Sequence, residues 1–226
     1  MKFTKNVGMK FNEDGSFRGF PGNTFICHLE DNSKHLELTM WAQNKIKALP
    51  FSYKFSFLPR ESMHMTVFEG VCEQVREQDK WTNKLGLDAN LDETTKLFLK
   101  QLENISQFDA FTLKFDRMYH YVAGGIALRL NVTDEYSEKT IKNCRSELSN
   151  ITGIRMSDFD SYFYHISLGY EIVELNEDEK AQLYKVFQEI EVELLAHFGE
   201  LTHKKLDFCH FSNMSKFEPI KTFNLI

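Results

Sequence analysis

An excess of positive charge is missing from this chain. Its 27 Lys and Arg are outnumbered by 33 Asp and Glu, giving a formal net charge of −6 over 226 residues. Duplex nucleic acid is held by a broad basic face that displaces counterions, so no duplex DNA partner is expected. A small or terminal phosphate needs only a few local donors and survives this test. Long hydrophobic runs are missing too. Nothing approaches the ~20 apolar residues of a membrane span, and MKFTKNVGMKF has no apolar stretch of signal-peptide length. A cytoplasmic protein with no membrane partner is expected. The four cysteines, at 27, 72, 144 and 209, form no CxxC pair, and reduced thiols are the simplest reading. The histidines show no HxH or HExxH spacing, so no metal is expected. Gly124-Gly125 fits neither the P-loop nor the dinucleotide pattern, so no cofactor is expected either.

What is present is an ordinary folded composition, 42% hydrophobic and 27% charged, with enough chain to bury a core. Residues 1–20 lack periodicity and are expected as a poorly ordered segment ahead of a single domain over 21–223. PGNTFICHL (21–29) reads as a first strand after a Pro-Gly turn. Ser33 is placed to cap a helix that buries Leu38, Trp41, Ala42, Ile46 and Leu49 before Pro50. Strands are expected at 53–58, 63–69, 111–115, 125–132, 162–170, 202–211 and 216–223. Helices are expected after Asp92, over 135–149, and after Asn176, where Asn176 and Glu179 have capping-box spacing. FTLKF with GIALRL, and the last two strands, read as hairpins. Strands in adjacent pairs favour an α+β fold with antiparallel sheets over a doubly wound parallel one. The order divides into two similar lobes.

Each lobe carries one motif. MHMTVF (63–68) and YHISL (164–168) each place a histidine in an apolar run with a hydroxyl residue two places later. Residues two apart on a strand share a face. Met63, Met65 and Val67 therefore point one way, and His64, Thr66 and Phe68 the other. Tyr164, Ile166 and Leu168 oppose Phe163, His165 and Ser167 in the same manner. Two imidazoles with two hydroxyls suit metal-independent phosphodiester cleavage. One neutral imidazole takes a proton from water or a ribose hydroxyl, and the other, protonated, gives one to the leaving oxygen. The hydroxyls of Thr66 and Ser167 donate to the non-bridging phosphoryl oxygens. The sequence leaves open which histidine is base and which is acid. One such motif in a strand is common; two, separated by about half the chain, are much more specific.

These paired motifs resemble those of the two-histidine (2H) phosphoesterase superfamily, which includes RNA 2′,3′-cyclic phosphodiesterases, the so-called 2′-5′ RNA ligases and cyclic-nucleotide phosphodiesterases. PGNTFICHL and HMTVFEGV are similar to a poorly characterised branch of it found in bacteria and fungi. The resemblance implies two pseudo-symmetric lobes, antiparallel sheets lining a central cleft, helices on the outer faces, and His64, Thr66, His165 and Ser167 facing one another across that cleft. It transfers no substrate.

Three further residues are candidates for binding substrate. Arg129 stands in the apolar strand GIALRLNV and suits a phosphate oxygen. Phe163 and Phe68 share a face with a histidine and suit stacking on a base. Arg60 and Arg76 are weaker phosphate candidates, and Asn23 in PGNT reads as a turn residue rather than a ligand. The expected function is hydrolysis of a nucleotide or RNA-terminal cyclic phosphodiester by a monomer. The alternatives are RNA-end processing, including 2′-5′ ligation, and a nucleotide-binding module with little turnover.

Overall fold

The computed structural model of the protein describes residues 1–121 and 124–226. Its elements run β1 (Gly22–His28), α1 (Lys34–Lys47), β2 (Phe55–Phe57), β3 (His64–Cys72), α2 (Leu91–Gln101), β4 (Gln107–Phe108), β5 (Thr112–His120), β6 (Gly125–Val132), α3 (Glu135–Thr152), β7 (Tyr164–Glu171), α4 (Glu177–His197), β8 (Glu200–Thr202), β9 (Lys205–Asn213) and β10 (Lys216–Leu225). The helix starts follow from local chemistry. Ser33 Oγ accepts from Leu36 N at 3.2 Å, and Asn176 with Glu179 forms the expected reciprocal box. The start of α2 differs from expectation: Asn90, with Glu93, makes its capping box, and Asp92 lies inside the first turn.

The fold is α+β, as expected. One mixed, open sheet runs β4-β10-β9-β1-β3-β7-β6-β5-β8, with β2 added beside β7. All of its pairings are antiparallel except β10 with β4. The two expected lobes are its halves, β10-β9-β1-β3 and β7-β6-β5-β8. They differ from two separate sheets in one respect: β3 and β7 touch at the centre. The contact is a single residue pair, Met65 with Ile166. Both side chains are fully buried, and this apolar contact joins the halves. A local two-fold axis through an antiparallel pair exchanges residues equally displaced along the two chains. Here it exchanges His64 with His165 and Thr66 with Ser167.

The likeness of the halves extends to an irregularity. Against β1, the register of β3 shifts between Thr66 and Phe68, leaving Val67 over. Against β6, the register of β7 shifts between Ser167 and Gly169, leaving Leu168 over. Each motif strand thus has a β-bulge directly after its hydroxyl residue, a device that turns side chains and ends regular pairing. Bulged residues leave ladder carbonyls without strand partners, and buried carbonyls need them. The Val67 carbonyl accepts from the Arg145 guanidinium of α3 at 2.5 Å. The Leu168 carbonyl accepts from Leu58 N at 3.0 Å and from the Gln43 amide of α1 at 2.8 Å. This accounts for two buried polar side chains. Each comes from the helix that follows the strand beside the opposite half's motif strand, α3 after β6 and α1 after β1.

Helices cover the face away from the histidines. Phe98 of α2 lies 6.2 Å from Phe208, which stacks on Phe25 at 4.5 Å. At the other half, Phe198, just after α4, lies 6.1 Å from Phe115. Residues 1–20, expected outside the domain, lie against it. Phe11 is fully buried and packs on Tyr170 at 5.4 Å, Thr4 N donates to the Ile172 carbonyl, and Phe20 N donates to the Ser212 carbonyl. Among the described residues, no helix is long and apolar enough to cross a membrane.

Candidate active site

The motif histidines stand on neighbouring central strands, and each is fixed in the same way. His64 Nδ1 lies 2.6 Å from the Ser62 carbonyl, and His165 Nδ1 lies 3.1 Å from the Phe163 carbonyl. A carbonyl only accepts, so Nδ1 carries the hydrogen in both rings. That leaves both Nε2 atoms without a proton in the neutral form and, among the described residues, without a hydrogen-bond partner. Thr66 and Ser167 are half-buried. Among the described residues their hydroxyls make no hydrogen bond within the protein, so their donors are available to a ligand. Carried one step either way from Met65 and Ile166, the register sets His64 beside Ser167 and Thr66 beside His165.

The two imidazoles differ electrostatically. Burial pushes His64 down to about 3, against a hydrogen bond to Ser62 that raises it and with the nearby His28 and His165 lowering it further. His165 is lowered as well, first by burial and then by the ammonium of Lys10, while its bond to Phe163 opposes the shift. Desolvation disfavours the charged ring in both cases. Lys10 comes from the first twenty residues and sits over Tyr170 at 4.6 Å.

Around His64 stand Phe217, with ring centres 4.3 Å apart, and His28 at 6.3 Å. Around His165 stand Tyr121 at 5.3 Å, Phe163 at 5.4 Å and Tyr162 at 6.2 Å. Phe163 is therefore beside the histidine, as the alternation implied. Arg129 is too: it is the cross-strand partner of His165, its guanidinium lies 5.1 Å over the Phe163 ring, and its Nε is 3.4 Å from Asp116. Phe68 is a correction. The bulge at Val67 turns it off the histidine face. It pairs with Phe25, meets Phe159 at 6.3 Å and is 3% exposed, so no base stacks on it.

Arg60 is bound to Glu37 on the surface, and Arg76 to Glu73 and the Ala89 carbonyl. Neither reaches the histidines. Asn23, expected as a turn residue, is buried in β1 and ties Val71 N to Thr95. Reasoning from sequence did not single out His28, Lys10, Phe217 or Tyr121. Only strand neighbours and the path of the first twenty residues bring them in. A depression of about 490 Å³ lies beyond Tyr121, among Thr4, Lys5, His120, Glu171 and Lys180, and neither motif histidine lines it. Cavity size therefore does not mark the site; the convergence of side chains does. No cluster of three or more His, Cys, Asp or Glu suited to a metal ion occurs among the described residues.

A sheet with paired histidine strands at its centre defines a class, and comparison with known proteins agrees. The family model described as 2H-phosphodiest, a domain of unknown function (DUF1868), matches residues 10–123. That is half of the chain, which belongs to this family. A conserved protein of unknown function from Agrobacterium tumefaciens has a similar crystal structure, with a TM-score of 0.91 at 24% identity, covering 99% of this chain and 94% of that one. Escherichia coli LigT is similar at lower scores. Its apo form gives 0.51 at 13% identity, covering 92% and 99%, and its complex with 3′-AMP gives 0.55 at 12%, covering 91% and 98%. These likenesses establish the shared fold. No curated protein matches the chain.

Proposed function

We propose that the protein is a metal-independent phosphodiesterase acting on a nucleotide or RNA-terminal cyclic phosphodiester of the 2′,3′-cyclic type. The observation that carries the reading is the exchange of His64/Thr66 with His165/Ser167 about the Met65–Ile166 pair, with both Nε2 atoms unengaged among the described residues. His64, whose neutral form burial favours with His28 and His165 beside it, is the general base and takes a proton from the attacking water. His165 is the general acid. The anionic substrate favours its protonated form, and it delivers that proton to the leaving ribose oxygen. Thr66 and Ser167 donate to the non-bridging oxygens as charge builds there. Arg129 holds one of those oxygens, and a base reaches the Phe163 ring by displacing Tyr121, which stacks on it at 5.7 Å. The product is a phosphomonoester.

The ligand class has support from the LigT complex with 3′-AMP, which shows a small nucleotide in that related fold. RNA-end processing, including 2′-5′ ligation, uses the same residues and is the second reading. The test is a panel of nucleoside 2′,3′-cyclic phosphates, 3′,5′-cyclic nucleotides, 2′-5′-linked dinucleotides and RNA ending in a cyclic phosphate, assayed with EDTA present. Turnover of a cyclic phosphate undiminished by EDTA is expected. Loss of turnover in EDTA, restored by a divalent ion, overturns the mechanism. Binding without turnover of any member favours a nucleotide-binding module.

A further inference from the structure

The geometry points to His28 as a phosphoryl-binding residue, the counterpart in the first half of the sheet of Arg129 in the second. The inference rests on the proposed phosphodiesterase reading and extends it to a residue outside both motifs.

The two-fold relation carries the argument. His28 is the cross-strand partner of His64 on β1, as Arg129 is the cross-strand partner of His165 on β6. Cys27, next to His28, is fully buried on the helix-bearing side, so His28 points to the side of the motif histidines. The two side chains are similarly accessible, 25% for His28 and 27% for Arg129. Each has an aspartate from the third strand of its own half beside it, hydrogen-bonded to His28 and an ion-pair neighbour of Arg129. His28 Nδ1 lies 3.0 Å from Asp207 on β9, and Arg129 Nε lies 3.4 Å from Asp116 on β5. The aspartates sit at different points along their strands, so it is the basic groups that correspond.

Asp207 is built for this task. Burial raises its carboxyl, but hydrogen bonds from His28 and from Thr222, at 2.6 Å, bring it below the ordinary value. A carboxylate accepts, so Nδ1 of His28 carries its hydrogen and the ring's free position is Nε2. Protonated there, the ring donates to an anionic oxygen in a charge-assisted hydrogen bond. The titratable groups facing it are Asp207, His64 and His203. A phosphoryl group set between the two hydroxyls then meets a basic side chain from each half, beyond the proton-transfer pair.

The test uses the full chain at pH 6. The readouts are KM and kcat for the best cyclic phosphate and the inhibition constant of inorganic phosphate, for wild type, His28→Ala, His28→Asn and His28→Arg. For His28→Ala, KM and the phosphate constant should rise about 10–100-fold, the worth of one charge-assisted hydrogen bond, with kcat changed less. His28→Arg should recover most of the phosphate affinity. His28→Asn keeps a donor for Asp207 but no cation, and should not recover it. Recovery by Asn as complete as by Arg, or unchanged phosphate affinity in a folded His28→Ala, overturns the inference while the phosphodiesterase reading stands. Wild-type protein with neither turnover nor phosphate inhibition overturns both. If His28→Ala fails to fold, the contrast between Arg and Asn decides.

Discussion

In the first half of the sheet the motif histidine stands beside another histidine, His28 held by Asp207; in the second it stands beside a guanidinium, Arg129 close to Asp116. The surrounding rings differ as well. His64 is closed in by Phe217, while His165 opens onto Tyr121, Tyr162 and Phe163. The backbone is alike in both halves: an Nδ1 bond to the carbonyl two residues back, a hydroxyl two residues on, and a bulge straight after it. The backbone thus sets two equivalent positions, and the neighbouring side chains make the two imidazoles unequal. Acid–base catalysis needs that inequality, because two groups with one proton affinity do not hold opposite protonation states well at a single pH.

The largest effect should come from removing either histidine. His64→Ala and His165→Ala should each lower kcat by about 10²–10⁴, the usual share of acid–base catalysis. The double variant should lose far less than the product, because the pair acts as a unit. Single-turnover rates of the three variants check this. Near wild-type turnover in His165→Ala beside a dead His64→Ala breaks the comparison, since the two motifs are then not one site.

Next come the hydroxyls. Thr66→Ala and Ser167→Ala should each lower kcat by roughly 10–10³, since each removes one donor that water partly replaces. The bulges place both hydroxyls equivalently, so the two losses should agree within about tenfold. A large loss at one and none at the other would show that the phosphoryl group sits in one half alone.

The bulges themselves give a smaller and purely structural comparison. Arg145→Met leaves the Val67 carbonyl short of a donor, and Gln43→Leu leaves the Leu58 carbonyl short of one while Leu168 keeps its bond from Leu58 N, at about 1–3 kcal/mol each for an unsatisfied buried group. Urea unfolding of each variant measures it. A loss below about 0.5 kcal/mol at either site means that the carbonyl concerned finds another partner.

Much of this was legible in the sequence, for one reason. Alternation in a strand is local, and both motifs hold it from the histidine to the hydroxyl: Met63, Met65, Val67, Ile166 and Leu168 are all buried. The helix caps at Ser33 and Asn176 are local as well. Phe68 marks where local reasoning ends. Its face depends on one extra residue opposite β1, and a register shift leaves no trace in the alternation. β5 runs to His120 rather than to Phe115 for the same reason, since the bulge between Phe115 and Arg117 interrupts the pattern without ending the strand. His28 was invisible because its meaning comes from pairing with a strand 36 residues further on. Lys10 was discounted with a segment that has no periodicity; its order comes from a buried Phe11 and backbone hydrogen bonds rather than from regular structure.

The smallest expected effect concerns pH and sets the two imidazoles directly against each other. Burial lowers both, His64 to about 3, so near neutral pH the free enzyme holds two uncharged rings. The reactive form needs His64 neutral and His165 protonated. As pH rises through the depressed value of His165, the free enzyme loses its acid, and kcat/KM should fall on a limb below the reference imidazole value of ~6.5. As pH falls towards 3, His64 gains a proton and the base is lost. In the bound state the substrate's negative charge stabilises the protonated ring of His165. The alkaline limb of kcat should therefore lie above that of kcat/KM. Parallel pH profiles of the two parameters measure the displacement. Lys10→Met removes a positive neighbour that lowers His165, so it should shift the kcat/KM limb upward and leave the acid limb, which belongs to His64, in place. A Lys10→Met variant that instead moves the acid limb would show that the roles are reversed, with His165 as the base.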